Sequence, residues 1–124
     1  MADDAQHGEL YDKGLAMRRE VLGAEYVDRS IANADAFTQP FQKLVTEWCW
    51  GEIWNQPGLS KKIRSTINLA MVAALNRPNE GRMHVRGALH NGVSREEIQE
   101  VLLQTTSIAG FPQRSKALGS RPRC

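Results

Sequence analysis

The sequence predicts an all-α fold, a compact domain of five to six short helices. Apolar residues recur at steps of three and four along most of the chain, which is the spacing of one helix face. Glycine, proline and capping residues separate these segments, and no alternating run is long enough to predict a strand. The 124 residues suit one domain.

The first half of the chain predicts two helices with a connector between them. The first helix covers residues 8–22 and stops at Gly23, and a polar connector over residues 24–33 follows. The second helix starts near Asp35, with Pro40 in its first turn, where proline is tolerated. One face of this helix carries an apolar stripe at helical spacing. The stripe comprises Phe37, Phe41, Leu44, Val45 and Trp48.

A third helix is predicted to begin after Ser60 and to end before Asn76. Residues 55–58 form a turn ahead of it, and Ser60 is a good N-cap. The many alanines of this helix indicate close packing against a neighbour. Its apolar residues are Ile63, Ile67, Ala70, Met71 and Ala74.

Two more helices complete the predicted fold. The fourth covers residues 79–91 and has Gly92 as its C′ residue. Ser94 and Glu97 form a capping box, in which each side chain bonds the other's backbone amide. The capping box starts a fifth helix, which stops at Gly110. The core of such a fold is small, so we expect a partner subunit to cover some of the apolar faces.

Charge is distributed unevenly along the chain. The net charge is +2, but residues 113–124 hold four basic residues and no acidic one. The remainder therefore has twelve basic and fourteen acidic residues. We interpret residues 1–112 as the helical domain and residues 113–124 as a basic, mobile tail. Because the domain itself is not basic, we expect no nucleic-acid partner.

Several other classes of protein are excluded by composition. No uncharged run approaches the roughly 20 apolar residues of a membrane span, and the acidic N-terminus resembles no secretory signal. Two cysteines, Cys49 and Cys124, cannot form a disulfide framework or a four-ligand zinc site. We therefore expect a cytoplasmic protein that does not bind membranes.

The segment that is most informative about chemistry is the predicted fourth helix. Glu80 and His84 are four residues apart, so they share a helix face and can meet. A carboxylate beside an imidazole can orient it, fix its tautomer and raise its pKa, which makes a general acid or base near neutral pH. The simpler interpretation is a surface pair worth a few tenths of a kcal/mol. His84 and His90 are poorly spaced for a shared metal ion, and no metal site is expected.

Other candidate residues have two interpretations each. Arg64 borders an apolar face and could bind a substrate carboxylate, or it could pair with a structural acid or extend to water. Glu47 lies in a tryptophan-rich stretch, and Trp50 and Trp54 could belong to the core, to an interface or to the wall of a pocket. The apolar context of Cys49 favours a structural cysteine over a nucleophile.

Four blocks of residues resemble those of the 4-carboxymuconolactone decarboxylases, within the alkylhydroperoxidase D-like superfamily. The resemblance extends from about residue 8 to residue 112. The blocks are Gly14 with 18–23 and 26–27; 47–54 with 57–59; 64–65 with Ala70 and 73–75; and Glu80 with 84–89, 91–92 and 96–98.

The resemblance implies an all-α subunit that assembles into a homo-oligomer, a hexamer or a trimer. It also bears on peroxidase chemistry. The peroxidase branch has two cysteines ahead of a histidine; here His84 keeps the histidine place, but Arg77 and Glu80 stand where the cysteines would be. Thiol peroxidase activity is therefore expected to be lost.

The family reaction implies a substrate and a set of roles. The substrate is a γ-carboxylated unsaturated lactone, and loss of CO2 gives 3-oxoadipate enol-lactone in aromatic-compound (protocatechuate, β-ketoadipate) breakdown. The lactone accepts the electrons itself, so no pyridoxal, thiamine or metal is required. By this resemblance His84 donates the proton to the ring carbon, and Glu80 or Glu47 orients the His84 imidazole. Arg64 anchors the substrate. The departing carboxylate lies against Trp50 or Trp54.

Two alternatives to a decarboxylase stay open. One is an alkylhydroperoxidase-like antioxidant or stress protein, and the other is a non-catalytic oligomeric binding protein on the same fold. The second arises because residues 113–124 do not predict the long apolar final helix of the family, given Gly119 and Pro122. Loss of that helix would expose apolar surface or loosen the oligomer.

Overall fold

The computed structural model describes residues 8–110, and within them all regular structure is helical. The predicted all-α fold is thus confirmed. The predicted tail over residues 113–124, with Cys124, lies outside the described residues. The helices are α1 (Glu9–Leu22), α2 (Ala24–Ala32), α3 (Gln39–Leu44), a π-helix (Val45–Ile53), α4 (Lys61–Ala74), α5 (Pro78–His90) and α6 (Arg95–Ala109).

The chain forms two compact units, which we call the first unit (to Leu59) and the second unit (from Ser60). In the part of the chain that the structure describes, no helix is long and apolar enough to cross a membrane. The single domain predicted for residues 1–112 stays a prediction.

The first unit is built on the packing of α1 against the π-helix. The two helices approach so closely that a Cβ atom on Gly14 would collide with the backbone of Thr46 and Gly51. A Cβ atom on Gly51 would lie 2.6 Å from the carbonyl oxygen of Leu10. Glycine at both positions therefore permits the contact. The buried apolar side chains of this unit are Tyr11, Val21, Leu22, Val27, Trp50 and Trp54.

The predicted polar connector over residues 24–33 is wrong, because this segment forms α2. Gly23 has a φ of 94°, a conformation that suits glycine, and it lets a second helix begin directly after α1. Arg19 of α1 forms an ion pair of 2.7 Å with Asp28 of α2. Val27 is the one fully buried side chain of α2, so the apolar pattern was too sparse to indicate a helix.

The predicted second helix begins at Gln39 rather than near Asp35. Residues 35–38 form a turn instead, in which the Thr38 amide donates to Asp35 Oδ1 at 2.8 Å. Pro40 lies in the first turn, as predicted. From Val45 onwards the helix continues as a π-helix. The apolar stripe is exposed in the described chain: Phe37 is 78% exposed, and Trp48 is 58% exposed.

The second unit consists of the α4–α5 hairpin with α6 packed on α4. Its predicted helix ends are confirmed. Ser60 Oγ accepts from the Ile63 amide at 3.2 Å, and the Ser94–Glu97 capping box has both of its hydrogen bonds. The final helix stops at Gly110, as predicted. The core contains Leu69, Ala88, Val93 and Ile98, with Val85, Val101 and Leu102 packed against them.

Candidate active site

His84 lies in the middle of α5, and Glu80 lies one turn before it. Helix α5 can start at Pro78 because proline needs no amide hydrogen bond in a first turn. Glu80 is exposed, whereas His84 is half-buried. The negative charge of Glu80 acts on the His84 imidazole. The two residues therefore share one face of α5, as their spacing indicates, and a direct contact between their side chains stays a prediction.

The ionisation of His84 differs from the sequence expectation. The spacing predicts that Glu80 raises the pKa of His84, and the charge of Glu80 does act in that direction, but the pKa is lowered overall. Burial is the larger cause, because it removes water from the charged imidazolium, and the charge of Glu80 opposes it only in part. Burial therefore favours the neutral imidazole, which can accept a proton before it donates one.

Arg64 lies in the first turn of α4 and is half-buried. Next to it, the buried Ser65 Oγ accepts a hydrogen bond of 2.9 Å from Asn91 Nδ2, just after α5. Because residues 75–77 connect α4 and α5, the two helices run antiparallel. His84 precedes Asn91 by seven residues, which is about 10 Å along a helix at 1.5 Å per residue. Arg64 and His84 thus lie about two turns apart along the hairpin.

The other three predicted site residues belong to the first unit. Glu47 of the π-helix forms an ion pair of 2.9 Å with Lys43. Trp50 and Trp54 are buried and stack on each other, with ring centroids 4.9 Å apart and planes inclined by 23°. The interpretation of these two rings as core residues is therefore confirmed. Their contact with a substrate, and that of Glu47 with His84, stay predictions.

Arg18 is a buried polar residue that the sequence reasoning missed. Its Nη1 donates to Gln42 Oε1 at 2.9 Å and to Thr46 Oγ1 at 3.0 Å. A signal was present, because Arg18 follows Tyr11 and Gly14 at steps of seven and four on the buried face of α1. An arginine at such a position marks either a polar contact inside the fold or a site.

Cys49 is half-buried, and burial raises the pKa of its thiol. The nearby Arg18 charge opposes this shift without cancelling it. A protonated thiol is a poor nucleophile, which agrees with the structural role expected for Cys49. Within residues 8–110, no three His, Cys, Asp or Glu side chains are grouped so that they could hold a metal ion.

Comparison with known proteins identifies the family. A sequence model of the carboxymuconolactone decarboxylase family matches residues 39–120, more than half of the chain. The chain belongs to this family. The carboxymuconolactone decarboxylase family match covers the π-helix, with Glu47 and Trp50, and Trp54 directly after it. It also covers the α4–α5 hairpin, with Arg64 and His84.

Two relatives match most of the chain. A nitrosuccinic acid decarboxylase of Metarhizium robertsii is 40% identical over 116 residues, which are 94% of this chain and 81% of that protein. A 4-carboxymuconolactone decarboxylase of Acinetobacter baylyi is 41% identical over 110 residues, 89% of this chain and 82% of that protein. Both relatives are decarboxylases, and this supports decarboxylase activity for this family member.

Proposed function

We propose that the protein is a cofactor-free carbon–carbon lyase that decarboxylates 4-carboxymuconolactone to 3-oxoadipate enol-lactone. The observation that carries the proposal is the half-buried His84 one turn after Glu80 on α5. Similarity to a 4-carboxymuconolactone decarboxylase over 89% of the chain supports the choice of substrate. The same proposal includes a cytoplasmic location and a place in β-ketoadipate metabolism.

The substrate supplies the electron sink for this reaction. The bond to the departing carboxylate breaks, and its electron pair moves through the ring alkene into the lactone carbonyl as a dienolate. One proton then adds to a ring carbon, which restores the lactone and balances the loss of CO2. The protein has to bind two carboxylates, stabilise the dienolate oxygen and deliver one proton, and positioned donors can stabilise such an oxyanion by a few kcal/mol.

His84 is the proposed proton donor. The free imidazole is neutral, so it takes a proton from water when the anionic substrate binds, since nearby negative charge favours imidazolium. It then gives this proton to the ring carbon. Glu80 is one turn away and favours the charged imidazole that this step needs. Arg64 anchors a carboxylate of the substrate about two turns along the hairpin.

The roles of Glu47, Trp50 and Trp54 in substrate binding belong to the proposal as well. Trp50 and Trp54 would offer an apolar surface that disfavours the charged state of the departing carboxylate. Glu47 would be the alternative partner of His84.

We further propose that the protein works as a homo-oligomer, a hexamer or a trimer. The support is the exposed apolar stripe of the first unit, in which Phe37 and Phe41 lie with ring centroids 6.0 Å apart. Contiguous exposed apolar surface of this kind marks an interaction site, and a second copy of the chain would cover it.

Nitrosuccinate is a second candidate substrate, because the Metarhizium robertsii relative matches 94% of the chain. The chemistry is related, since a nitro group can accept the electrons that the departing carboxylate leaves behind. A second carboxylate is retained in both molecules. The same proton donor and the same anchor would therefore serve either substrate.

The test is to give the purified protein each substrate separately, with no added metal or cofactor. Loss of the lactone's ultraviolet absorbance with matching CO2 release supports the proposal. Turnover of nitrosuccinate alone would assign the nitro acid as substrate. No turnover of either substrate by a folded oligomer would contradict the decarboxylase and favour a binding protein. Peroxide consumption with a thiol reductant would instead favour the antioxidant alternative.

A further inference from the structure

Arg18 is a buried cation that lacks an anionic partner in the described chain. Its side chain is on α1 in the first unit, and the residue is 6% exposed. Its Nη1 bonds only neutral oxygens, those of Gln42 and Thr46, and its buried Nε makes no hydrogen bond. Within residues 8–110 no carboxylate pairs with it, whereas its neighbour Arg19 pairs with Asp28.

Within residues 8–110, the surroundings of Arg18 do not supply the missing charge. Two phenols and a thiol, those of Tyr11, Tyr26 and Cys49, are the groups that act on it electrostatically. None of them is a carboxylate. Removing a guanidinium from water is unfavourable unless an anion compensates for the lost hydration. A buried guanidinium without a carboxylate partner, such as that of Arg18, therefore requires an explanation.

Support of the π-helix does not explain the charge. Thr46 Oγ1 already donates to the Gln42 carbonyl oxygen at 2.7 Å, which bonds the end of α3 to the start of the π-helix. A neutral donor could satisfy the Gln42 amide oxygen and the Thr46 hydroxyl as well as Arg18 does. Nothing in this contact requires a positive charge.

We propose that Arg18 is the centre of a binding site for the carboxylate of a small organic acid. Since Nη1 is engaged, the carboxylate meets the Nε edge of the guanidinium. Tyr26 and Cys49, which act on Arg18 electrostatically, are half-buried, so the cluster is not wholly enclosed. One guanidinium balances the single charge of a carboxylate, whereas a phosphate dianion would bring a second, uncompensated charge into the cluster.

The site is tested by binding, without turnover, so its failure is distinct from failure of the proposed decarboxylation. The full chain is titrated with propionate, with its neutral analogue propionamide and with inorganic phosphate, followed by backbone amide NMR shifts. We expect saturable binding of propionate and none of propionamide. Absence of saturable propionate binding, equal binding of propionamide, or tighter binding of phosphate would overturn the proposal.

Arg18→Met is the informative variant, and Arg19→Met is its matched control on the exposed side of α1. We expect Arg18→Met to weaken propionate binding at least tenfold and to melt no lower than wild type, because it removes an uncompensated buried charge. Arg19→Met should bind as wild type does. A lower melting temperature with unchanged propionate affinity in Arg18→Met would overturn the proposal and leave Arg18 a purely structural residue.

If Arg18→Met fails to fold, Arg18→Lys decides the question. Lysine keeps the charge but lacks the planar fork of the guanidinium. We expect this variant to fold and to bind propionate at least threefold more weakly. Propionate binding as tight as that of wild type in Arg18→Lys would overturn the assignment.

Discussion

The side-chain amide of Asn91 donates a hydrogen bond of 2.9 Å to the buried hydroxyl of Ser65. This bond connects the end of α5 to the first turns of α4 and lies directly beside Arg64. It thereby sets the level of Arg64 relative to His84, about two helical turns along the hairpin. The bond thus joins the two helices that carry the proposed substrate-contacting residues of the second unit, although neither residue takes part in it.

Ser65→Ala should destabilise the protein by about 1–3 kcal/mol, because it leaves the half-buried Asn91 amide without its acceptor. Urea unfolding followed by circular dichroism measures the loss. Ser107→Ala is the control, since this exposed hydroxyl donates to the nearby Gln104 carbonyl oxygen and accepts from the Gln104 side-chain amide. Equal stability of the two variants would show that the Ser65–Asn91 bond contributes nothing to the hairpin.

Stability should fall as the pH drops below about 6.5, the ordinary value for histidine. The pKa of His84 is lowered in the folded state, so over this range the unfolded chain binds more protons than the folded one. The stability that the neutral His84 contributes is fully present above about pH 6.5. It is lost progressively as the pH falls from there to the lowered pKa of the folded state. His84→Gln should flatten this part of the urea-derived stability profile. The same slope in wild type and His84→Gln would contradict the burial effect.

Arg64→Ala should raise the KM for 4-carboxymuconolactone at least tenfold, because a charged hydrogen bond to a carboxylate is worth about 1.5–3 kcal/mol. Steady-state kinetics of CO2 release measures the change. Arg82→Ala is the matched control, since Arg82 is exposed on α5 and bonds Asn79 at 3.1 Å. An unchanged KM in Arg64→Ala would remove Arg64 as the anchor.

Phe41→Glu together with Trp48→Glu should break the proposed oligomer, because two charges would then lie in the exposed apolar stripe. Light scattering after size exclusion gives the mass of each species. The control is a substitution of an exposed residue on α6, Gln104→Glu, which adds a negative charge outside the apolar stripe. A wild-type protein that is monomeric, or an unchanged oligomer in the double variant, would contradict the assignment of this stripe to a subunit interface.

Helix ends were predictable from sequence because caps are local. Ser60 and the Ser94–Glu97 pair bond amides three residues away, so the signal and its effect lie within one turn. Helix α2 was not predicted, because Val27 is its one buried residue and a single residue sets no hydrophobic periodicity. The π-helix was missed for a different reason. The apolar stripe keeps α-helical spacing across Val45, although the backbone changes its hydrogen-bond pattern there.

The candidate site was predictable only in part. The spacing of Glu80 and His84 placed the two side chains correctly, because four residues return to the same face of an α-helix. Glu80 acts on the pKa of His84 in the expected direction, but burial, which depends on tertiary packing and not on local spacing, outweighs it. Arg18 was missed for the same reason. Its partners Gln42 and Thr46 are more than twenty residues away.

The proton donor is the central claim, and the rate of CO2 release from 4-carboxymuconolactone by His84→Gln tests it most directly. Wild type, His84→Gln and His90→Gln are compared at pH 7 after circular dichroism has shown equal folding. His90 is the exposed histidine at the end of the same helix. The proposed mechanism predicts a rate at least about 100-fold lower for His84→Gln and a wild-type rate for His90→Gln. A wild-type rate in folded His84→Gln would contradict it.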